Sequence, residues 1–392
     1  MKTKRIIAVL LVAGACVVPG TSSFAAGAVN VLWDKQAVNG VERYDASVIK
    51  LADAEVLQSV GRLVDQRLSH LKVTGQLPFN TEIIADYKNN DWKSKMGEDR
   101  IALVPVITSD ANTHKMMTYK NTNYYTYEVR TELNLMLCKF DGTKLSVIHN
   151  LPLANQAVLG GSLEDALTEP LGVDVLKEQF VYNVEQMLED ISFPTDINDK
   201  LQNSDMRITC QVKEVNVAPA IRANYAHNTL SDRRINLIAK PIIASTYTSY
   251  YAKKISEYCV LPSKLSGNSW KKEVVRHITG GDIAAAEYNA SLQEEAGVGI
   301  TVSIDNFSAR VDNGNQYSLM RDLYFTTELS AWEEGGMSLG NAVSVAKYRL
   351  PKTIGYEVQW NYSEIFNDAA VELGQKLSEI KLPKKSNRKS KK

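Results

Sequence analysis

The residues that most often carry out acid/base or metal chemistry are scattered along this sequence. Its five histidines are His70, His114, His149, His227 and His277. No two of them stand at the spacing of ligands to one metal ion. The sequence also lacks a phosphate-binding loop, a dinucleotide-binding Gly-rich turn, a His-Glu-x-x-His and a Gly-x-Ser-x-Gly,. We therefore expect no metal site, no cofactor and no catalytic residue.

Adjacent carboxylates occur twice, at Glu189-Asp190 and at Glu294-Glu295. Neighbouring side chains on a helix point in different directions, so neither pair forms an acid/base dyad. A hydrolytic site would therefore need Asp, Glu, Ser or His residues that only folding brings together.

Tyrosines cluster in two stretches, and Tyr combines apolar area with a polar tip that suits partner binding. Tyr127 in the first stretch and Tyr247 and Tyr251 in the second fall on positions that predict a core-facing side chain,. Tyr124 and Tyr125 follow the polar run 120–123 and are the better surface candidates. We predict that these two bind a partner.

The C-terminal residues 384–392 form a basic tail without a single apolar side chain. Such a tail contacts anionic lipid or an anionic envelope polymer by charge alone, or serves as a solubilising disordered end. No aromatic residue is interleaved, so we do not expect nucleic acid as a partner. The candidate contact residues are Lys384, Lys385, Arg388, Lys389, Lys391 and Lys392.

Residues 1–25 have the pattern of an export signal. The basic segment Met1–Arg5 precedes the apolar run Ile6–Val18, and Ser23 and Ala25 fit the small-x-small rule for cleavage after Ala25,. We expect a periplasmic or extracellular protein. Lipidation of Cys16 is the alternative, and it would attach the protein to a membrane surface.

Three cysteines follow the predicted cleavage point, with no Cys-x-x-Cys among them: Cys138, Cys210 and Cys259. An odd number permits at most one intrachain disulfide if the remaining thiol stays free. A disulfide framework is not predicted, and the state of these three thiols stays open.

The sequence contains signs of a tandem duplication. Arg130-Thr131-Glu132-Leu133 has a counterpart in Thr326-Thr327-Glu328-Leu329, and Leu151-Pro152 has one in Leu350-Pro351. Further matches follow in the same order. We predict two similar units, residues 26–198 and 199–383, after the signal at 1–25 and before the tail at 384–392.

Hydrophobic periodicity predicts a mixed α/β (α+β) fold in the first unit. A helix has Val56, Val60, Leu63, Val64, Leu68 and Leu71 on one face,. Tyr127–Leu137 alternates with a period of two, which predicts a half-buried strand and a hairpin. The closing helix carries Leu176, Phe180, Val184 and Leu188, with Asp174 as its predicted N-cap,.

The second unit has the same predicted order. Ile235–Ile238 is the predicted opening strand, and a helix with Tyr247, Tyr251, Ile255 and Tyr258 follows it. A second helix is predicted over Asp282–Gln293, before the strand Val298–Ile304, a hairpin and a closing helix. Residues 195–231 are assigned to a linker that holds one further strand candidate, Arg207–Val217. Each unit is thus predicted to be a mixed sheet with a hairpin, covered by helices.

This element order resembles the periplasmic domains of CsgG-like and TolB N-terminal-like envelope proteins. There an opening strand leads to a helix, a second strand, a hairpin and a closing helix. The matching segments here are Ile235–Ile242, the helix that reaches Tyr258, Val298–Ile304 and the hairpin at Gly335-Gly336. The resemblance implies a fold and an envelope location. The transmembrane hairpins of the pore-forming members are absent, so it does not imply a pore.

These observations favour an exported, non-enzymatic envelope protein that acts as a binding or assembly scaffold. Its expected partners are another envelope protein, a second copy of the chain, or an anionic polymer or lipid at the tail. A secreted hydrolase with a site between the two units is one alternative. A surface adhesin that uses its Tyr-rich loops and basic tail is the other.

Overall fold

A computed structural model gives the fold. It describes residues 29–42, 49–83, 101–119, 121–140, 145–160, 166–203, 209–223, 232, 235–255, 258–278, 297–352 and 362–377. The predicted export signal with Cys16, the predicted helix at 282–293 and the basic tail lie outside these described residues. None of the helices in the described ranges is long and apolar enough to cross a membrane.

The first sheet is built around one long strand. Its strands are β1 (Asn30–Trp33), β2 (Val38–Asn39), β3 (Asn80–Ile83), β4 (Ile101–Ser109), β5 (Asn112–Tyr119), β6 (Thr122–Phe140) and β7 (Leu145–Leu159). One side of β6 pairs antiparallel with β5 and then with β4, and its other side pairs antiparallel with β7. Strand β1 lies parallel to both β4 and β3. The sheet order is therefore β3-β1-β4-β6-β7, with β5 continuing the line of β4.

Two helices cover one face of this sheet, α1 (Ala54–Val73) and α2 (Val173–Glu189). The predicted stripes are confirmed, since five of the six stripe residues of α1 and all four of α2 are buried and pack in one apolar core. Asp53 caps α1 by accepting hydrogen bonds from the backbone N–H groups of residues 55 and 56,. Helix α2 begins one residue before Asp174, so Gly172 is its N-cap and the predicted cap is wrong. A short helix α3 (Ile197–Asn203) follows.

The second sheet repeats this strand order. Its strands are β8 (Thr209–Val217), β9 (Cys259–Val260), β10 (Val298–Asp312), β11 (Met320–Glu333) and β12 (Ser338–Pro351). Strand β8 lies parallel to β9 and β10, while β10, β11 and β12 form an antiparallel meander. The order β9-β8-β10-β11-β12 matches β3-β1-β4-β6-β7, both in the order of the strands along the chain and in their relative directions. The shared topology is what a duplication would produce, and the duplication itself stays a prediction.

The predicted opening strand of the second unit is wrong. Residues Ile235–Ala239 form a π-helical turn that leads into helix α5 (Lys240–Lys254), after the short helix α4 (Pro219–Ala223). Strand β8 takes the opening position instead, inside the segment assigned to a linker. A short apolar run fits a strand and a buried helix equally well, and periodicity alone does not separate them.

The molecule is layered as helix, sheet, helix, sheet. Helices α5 and α7 (Tyr362–Lys376) pack on the inner face of the second sheet in its own apolar core. Helix α6 (Ser269–Ile278) packs on the first sheet, where Trp270, Val274 and Ile278 join Val104 and Met136. This mixed core takes side chains from both predicted units. The mixed α/β fold is thereby confirmed, and the first sheet has helices on both faces.

Candidate functional site

The predicted half-buried strand at 127–137 is buried on both faces. Its alternating polar residues Glu128, Arg130, Glu132 and Asn134 are each at most 5% exposed. The prediction of a solvated polar face is wrong because helix α5 of the second unit lies against it. That helix presents a band of small hydroxyl side chains, and they are also buried: Ser245, Thr246, Thr248 and Ser249.

Arg130 is the centre of the contact between the units. Its Nε donates to Oε1 of Glu132 over 2.9 Å, and its Nη2 donates to the hydroxyl of Ser245 and, over 3.2 Å, to that of Thr246. The hydroxyl of Thr246 in turn donates to Oδ1 of Asn367 on α7 over 2.9 Å. The guanidinium therefore joins β6 to helix α5, and Thr246 extends the hydrogen-bond network to α7,.

A second, partly buried ion pair lies at the same interface. Lys115 Nζ on β5 is 3.1 Å from Oε1 of Glu128, and the hydroxyl of Ser363 on α7 donates to Oε2 of the same carboxylate. Both oxygens of Glu128 thus have a donor. A carboxylate that is fully engaged in this way holds two elements together, and it is poorly placed to move a proton.

A pocket opens beside this interface, and it bears on the hydrolase alternative. Its lining includes Glu132, Asn134, Ser249, Ser263 and Ser266. The pocket has room for about one water molecule, so a hydrolase substrate does not fit in it,. Nor does the described part of the chain contain a group of three or more His, Cys, Asp or Glu residues able to hold a metal ion.

The side of β10, β11 and β12 that faces away from α5 and α7 is not covered by any helix within the described ranges; we call it the open face. Along β11 the odd-numbered residues from Arg321 to Glu333 are buried, whereas the even-numbered ones reach solvent. The open face carries Ser308, Arg310, Asp322, Tyr324, Thr326, Glu328, Ser330, Trp332, Asn341, Val343, Val345, Lys347 and Arg349.

A basic and aromatic row crosses the open face. The ring centroid of Tyr324 lies 4.5 Å from the guanidinium carbon of Arg310 and 5.4 Å from Nζ of Lys347,. Lys347 Nζ is also 2.9 Å from an Asp322 oxygen, and Arg349 Nε is 3.4 Å from the other. Hydrogen bonds to Asp322 and then to Tyr324 raise the pKa of Lys347 above its ordinary value. Lys347 therefore interacts with both Asp322 and Tyr324 on this face.

Apolar side chains lie beside this row. Val343 is 61% exposed, Val345 58% and Trp332 36%. Strand β12, which carries both valines, is the last strand of its sheet and pairs only with β11 among the described residues. An exposed strand edge next to an apolar surface is a common basis for protein association.

The opposite end of the layered molecule presents acidic side chains. Helix α2 turns one side away from the first sheet; we call it the outer side of α2. Exposed residues at helical spacing form it: Asp174, Val175, Glu178, Tyr182, Glu185 and Glu189. Tyr182 is 52% exposed and Val175 is 43% exposed between the carboxylates.

The predicted partner-binding residues lie elsewhere. Tyr124 and Tyr125 are on β6 opposite β5, and both are half-buried. Tyr125 packs against the first apolar core, and its backbone N–H donates to the carbonyl of Leu167, so it is partly a structural residue. The structure brings neither tyrosine to the open face. The basic tail residues lie outside the described residues.

Sequence reasoning missed the open face, although a signal was present. Residues 320–333 alternate with a period of two, and so do 127–137. Helix α5 covers the polar face of β6, whereas no helix within the described ranges covers that of β11. This difference depends on contacts between elements that are distant in sequence. The alternation alone therefore does not distinguish a strand covered on both faces from one covered on a single face.

None of the three cysteines forms a disulfide within the described part of the chain, and all three are buried. Burial raises the pKa of Cys138 and of Cys210 well above the ordinary value, so both remain protonated at neutral pH,. Cys138 and Cys259 lie in the mixed core between the units. These thiols pack as small apolar groups and are not arranged as nucleophiles.

Comparison with known proteins gives little further information. No family model matches the chain, and no curated protein matches it. One solved structure found by the comparison is described as a neuraminyllactose-binding hemagglutinin homolog from Helicobacter pylori. It is 12% identical, covers 46% of this chain and 92% of its own, and has a TM-score of 0.28. No fold or function is inferred from so low a TM-score.

Proposed function

We propose that this chain is an exported cell-envelope protein that binds or assembles with other proteins through the open face of its second sheet, without catalysing a reaction. One observation carries the proposal. The first sheet has helices on both of its faces, whereas the second sheet has helices on one face only within the described ranges. The uncovered face is therefore the surface available to a partner.

The composition of the open face supports a protein partner. Single exposed apolar residues are ordinary on protein surfaces, but here Trp332, Val343 and Val345 share one face with the aromatic ring of Tyr324,. Aromatic and arginine side chains are enriched at the centre of protein interfaces. Arg310 and Arg349 supply the arginines on this face.

The export signal and the tail support the location. The pattern at 1–25 predicts transport out of the cytoplasm and cleavage after Ala25,. The basic residues at 384–392 suit an anionic envelope polymer or lipid,. If these two segments determine the location, the folded body between them is available to bind a partner.

Site-specific photocrosslinking in bacterial cells tests the binding surface. The full chain, with its leader, carries a photoreactive benzoylphenylalanine at position 343 on the open face. The matched control carries it at position 73, at the end of α1, where the native valine is 88% exposed. We expect covalent adducts from position 343 in the envelope fraction and none from position 73.

Three results would count against the proposal. One is equal crosslinking from both positions, which would mean random collisions. Another is the absence of adducts at position 343 when the chain is folded and exported. The third is a protein in the cytoplasmic fraction whose intact mass still includes residues 1–25. That result would overturn the envelope location, but it would not decide whether the open face binds a partner.

A further inference from the structure

We infer that the free edge of β12, which borders the open face, binds an extended segment of another protein in which apolar and basic side chains alternate. The side of β12 that faces away from β11 is called the β12 edge below. The inference rests on the proposed function and makes it specific. The bound segment would add a strand to the second sheet, with its apolar side chains on the open face and its basic side chains next to helix α7.

The main chain of β12 has donors and acceptors that β11 does not use. The backbone N–H of Lys352 donates to the carbonyl of Leu319 over 2.8 Å, and this pair continues the register between the two strands. Hydrogen-bonded pairs alternate along an antiparallel ladder. Ser344 therefore directs its N–H and C=O groups to β11, whereas Val343 and Val345 direct theirs to the β12 edge. Among the described strands only β11 pairs with β12, so these groups are available to a further strand.

The β12 edge lacks the features that usually prevent strand addition. Edge strands of natural proteins are kept short, or carry charged side chains or proline. Residues 338–346 of β12 contain neither, and Val343 and Val345 are 61% and 58% exposed. By contrast β7, the corresponding strand of the first sheet, has Pro152 at its middle, and the edge strands β3 and β9 are four and two residues long. A long edge of this kind promotes aggregation unless a partner covers it.

Helix α7, which packs on β11 and β12, carries an acidic row at four-residue spacing: Glu364, Asp368 and Glu372. All three residues are exposed. The hydroxyl of Tyr348 on β12 donates to Glu364 over 3.1 Å, which places the row on the β12 side of the helix. Burial, followed by the negative charges of Glu364 and Glu372, raises the pKa of Asp368 above its ordinary value. The helix has one cation, Lys376 at its last position, so the acidic row has a net negative charge.

The spacing of the acidic row agrees with that of a strand bound beside it. Residues four apart on a helix are separated by about 6 Å along its axis, and alternate residues of a strand by about 7 Å. A segment on the β12 edge with lysine or arginine at every second position would therefore place successive cations next to successive carboxylates. The side chains between them point to the other face of the sheet, where Val343 and Val345 lie,. Main-chain hydrogen bonds would supply affinity, and the two rows of side chains would select the sequence.

The acidic row also argues against a second copy of this chain as the partner. Two β12 edges that pair antiparallel about a twofold axis would bring both α7 helices to the same face of the joined sheet. Their acidic rows would then face each other across the new pair of strands, and like charges in that position oppose association. A segment with basic side chains neutralises the row instead.

Two variants separate the main-chain contribution from the charge contribution. The edge variant is Val345→Pro, which removes an N–H group that points to the β12 edge. The row variant is Asp368→Lys with Glu372→Lys. Its matched control is Glu178→Lys with Glu185→Lys, the same change of charge on the outer side of α2. All of these side chains are exposed, and circular dichroism and the thermal midpoint verify that each variant is folded.

Fluorescence anisotropy at low salt measures binding to residues 26–392, which include every described residue. The probe is a short fluorescein-labelled peptide in which valine and lysine alternate, and its isomer with all lysines in one block is the control peptide. We expect the alternating peptide to bind the wild type and the α2 control with similar affinity. The edge variant and the row variant should each weaken binding by about tenfold or more. The block isomer should also bind at least about tenfold more weakly than the alternating peptide, because it cannot match both rows of side chains.

Several results would overturn the inference. Equal binding of the two peptides, or an equal loss of binding in the α2 control, would mean that net charge alone attracts the peptide. Binding only after removal of residues 384–392 would assign the β12 edge to the chain's own basic tail. Wild-type dimers that Val345→Pro dissociates would assign it to a second copy, and no binding up to about 1 mM, the weak limit of specific association, would leave it without this ligand. In each of these cases crosslinks from position 343 to another envelope protein would still support the proposed function.

Discussion

The hydroxyl of Ser363, at the start of α7, donates a hydrogen bond to the carboxylate of Glu128 on β6, although 235 residues separate them in the chain. Lys115 Nζ is 3.1 Å from the other oxygen of that carboxylate. Glu128 and Ser363 are each 4% exposed, so their hydrogen bond is a buried contact between the first sheet and a helix of the second unit. The stability of the whole molecule should respond to changes in any of them.

We predict that Glu128→Ala lowers the free energy of unfolding by about 1–3 kcal/mol, because it removes a charged hydrogen-bond acceptor and leaves the buried Ser363 hydroxyl without that partner,. Ser363→Ala removes one hydrogen bond and should cost about 1 kcal/mol. Urea denaturation followed by circular dichroism measures both. Glu372→Ala, at an exposed position on α7, serves as the control. A loss at Glu128 no larger than that of the control would show that the ion pair does not hold the units together.

Asp53 should make the stability depend on pH at the acid end. A hydrogen bond from Lys177, followed by the backbone N–H of Val56, lowers the pKa of Asp53 below its ordinary value of 3.8. A carboxyl whose pKa is lower in the folded protein adds stability above the unfolded value, and this is lost as the pH falls through the folded value. Asp53→Asn keeps an oxygen for the helix cap but removes the charge.

We therefore expect the stability difference between the wild type and Asp53→Asn to be largest at neutral pH and to shrink below about pH 4. Because the Asp53 side chain is about one third exposed, added salt should also reduce the difference,. Thermal unfolding between pH 2 and pH 7 measures it. A difference that stays constant across this range would contradict the prediction.

Gly40 lies at a close approach between the two units. A Cβ placed on it would be 2.7 Å from the Cβ of Trp270 on α6 and 2.8 Å from a methyl carbon of Val106. Both neighbours are buried in the mixed core and cannot easily move away. Gly40→Ala should therefore destabilise the protein by about 1–3 kcal/mol through overpacking.

Gly172 provides the matched control for this change. No heavy atom lies within 4 Å of a Cβ built there, and the residue caps α2 in an extended conformation. Gly172→Ala should cost about 0.5–1 kcal/mol, because alanine is a poorer helix cap than glycine, and no steric crowding adds to this loss. Equal unfolding midpoints for the two alanine variants in urea would refute the proposed crowding at Gly40.

The thiols should be unreactive in the native protein. Cys138, Cys210 and Cys259 are each at most 1% exposed, and burial raises the pKa of the first two. Because the thiolate is the reactive form, residues 26–392 should not react with Ellman's reagent under native conditions. All three thiols should react with the same reagent in guanidinium after any reductant has been removed. Rapid modification of a thiol in the native state would show that the mixed core opens.

The sequence predicted the elements whose pattern is local. The stripe of α1 repeats every three to four residues over twenty residues, so its helix and its buried face both followed from periodicity,. The strands at 101–107 and 298–304 and the hairpin at Gly335-Gly336 were predicted for the same reason, and the structure confirms them. Each of these elements needs only its own residues to be recognised.

The errors concern elements whose state depends on distant partners. The segment Ile235–Ile238 reads as a strand, but it is helical because it continues into α5, which is buried on both sides between two sheets. The polar side of β6 reads as solvated, yet hydroxyl groups of α5 satisfy it. No local pattern records which polar face meets a helix, so the open face could not be recognised before the layers were known.

The mixed core has a consequence for how the chain unfolds. Val104 and Met136 of the first unit share that core with Trp270 and Ile278 of the second, so neither unit buries it alone. The boundary near residue 198 divides two similar sequence patterns. It does not divide the chain into two domains that fold independently. We expect a single cooperative melting transition for the whole body, and either half expressed alone should form insoluble material. The evolutionary unit and the cooperative folding unit of this chain would then be of different sizes.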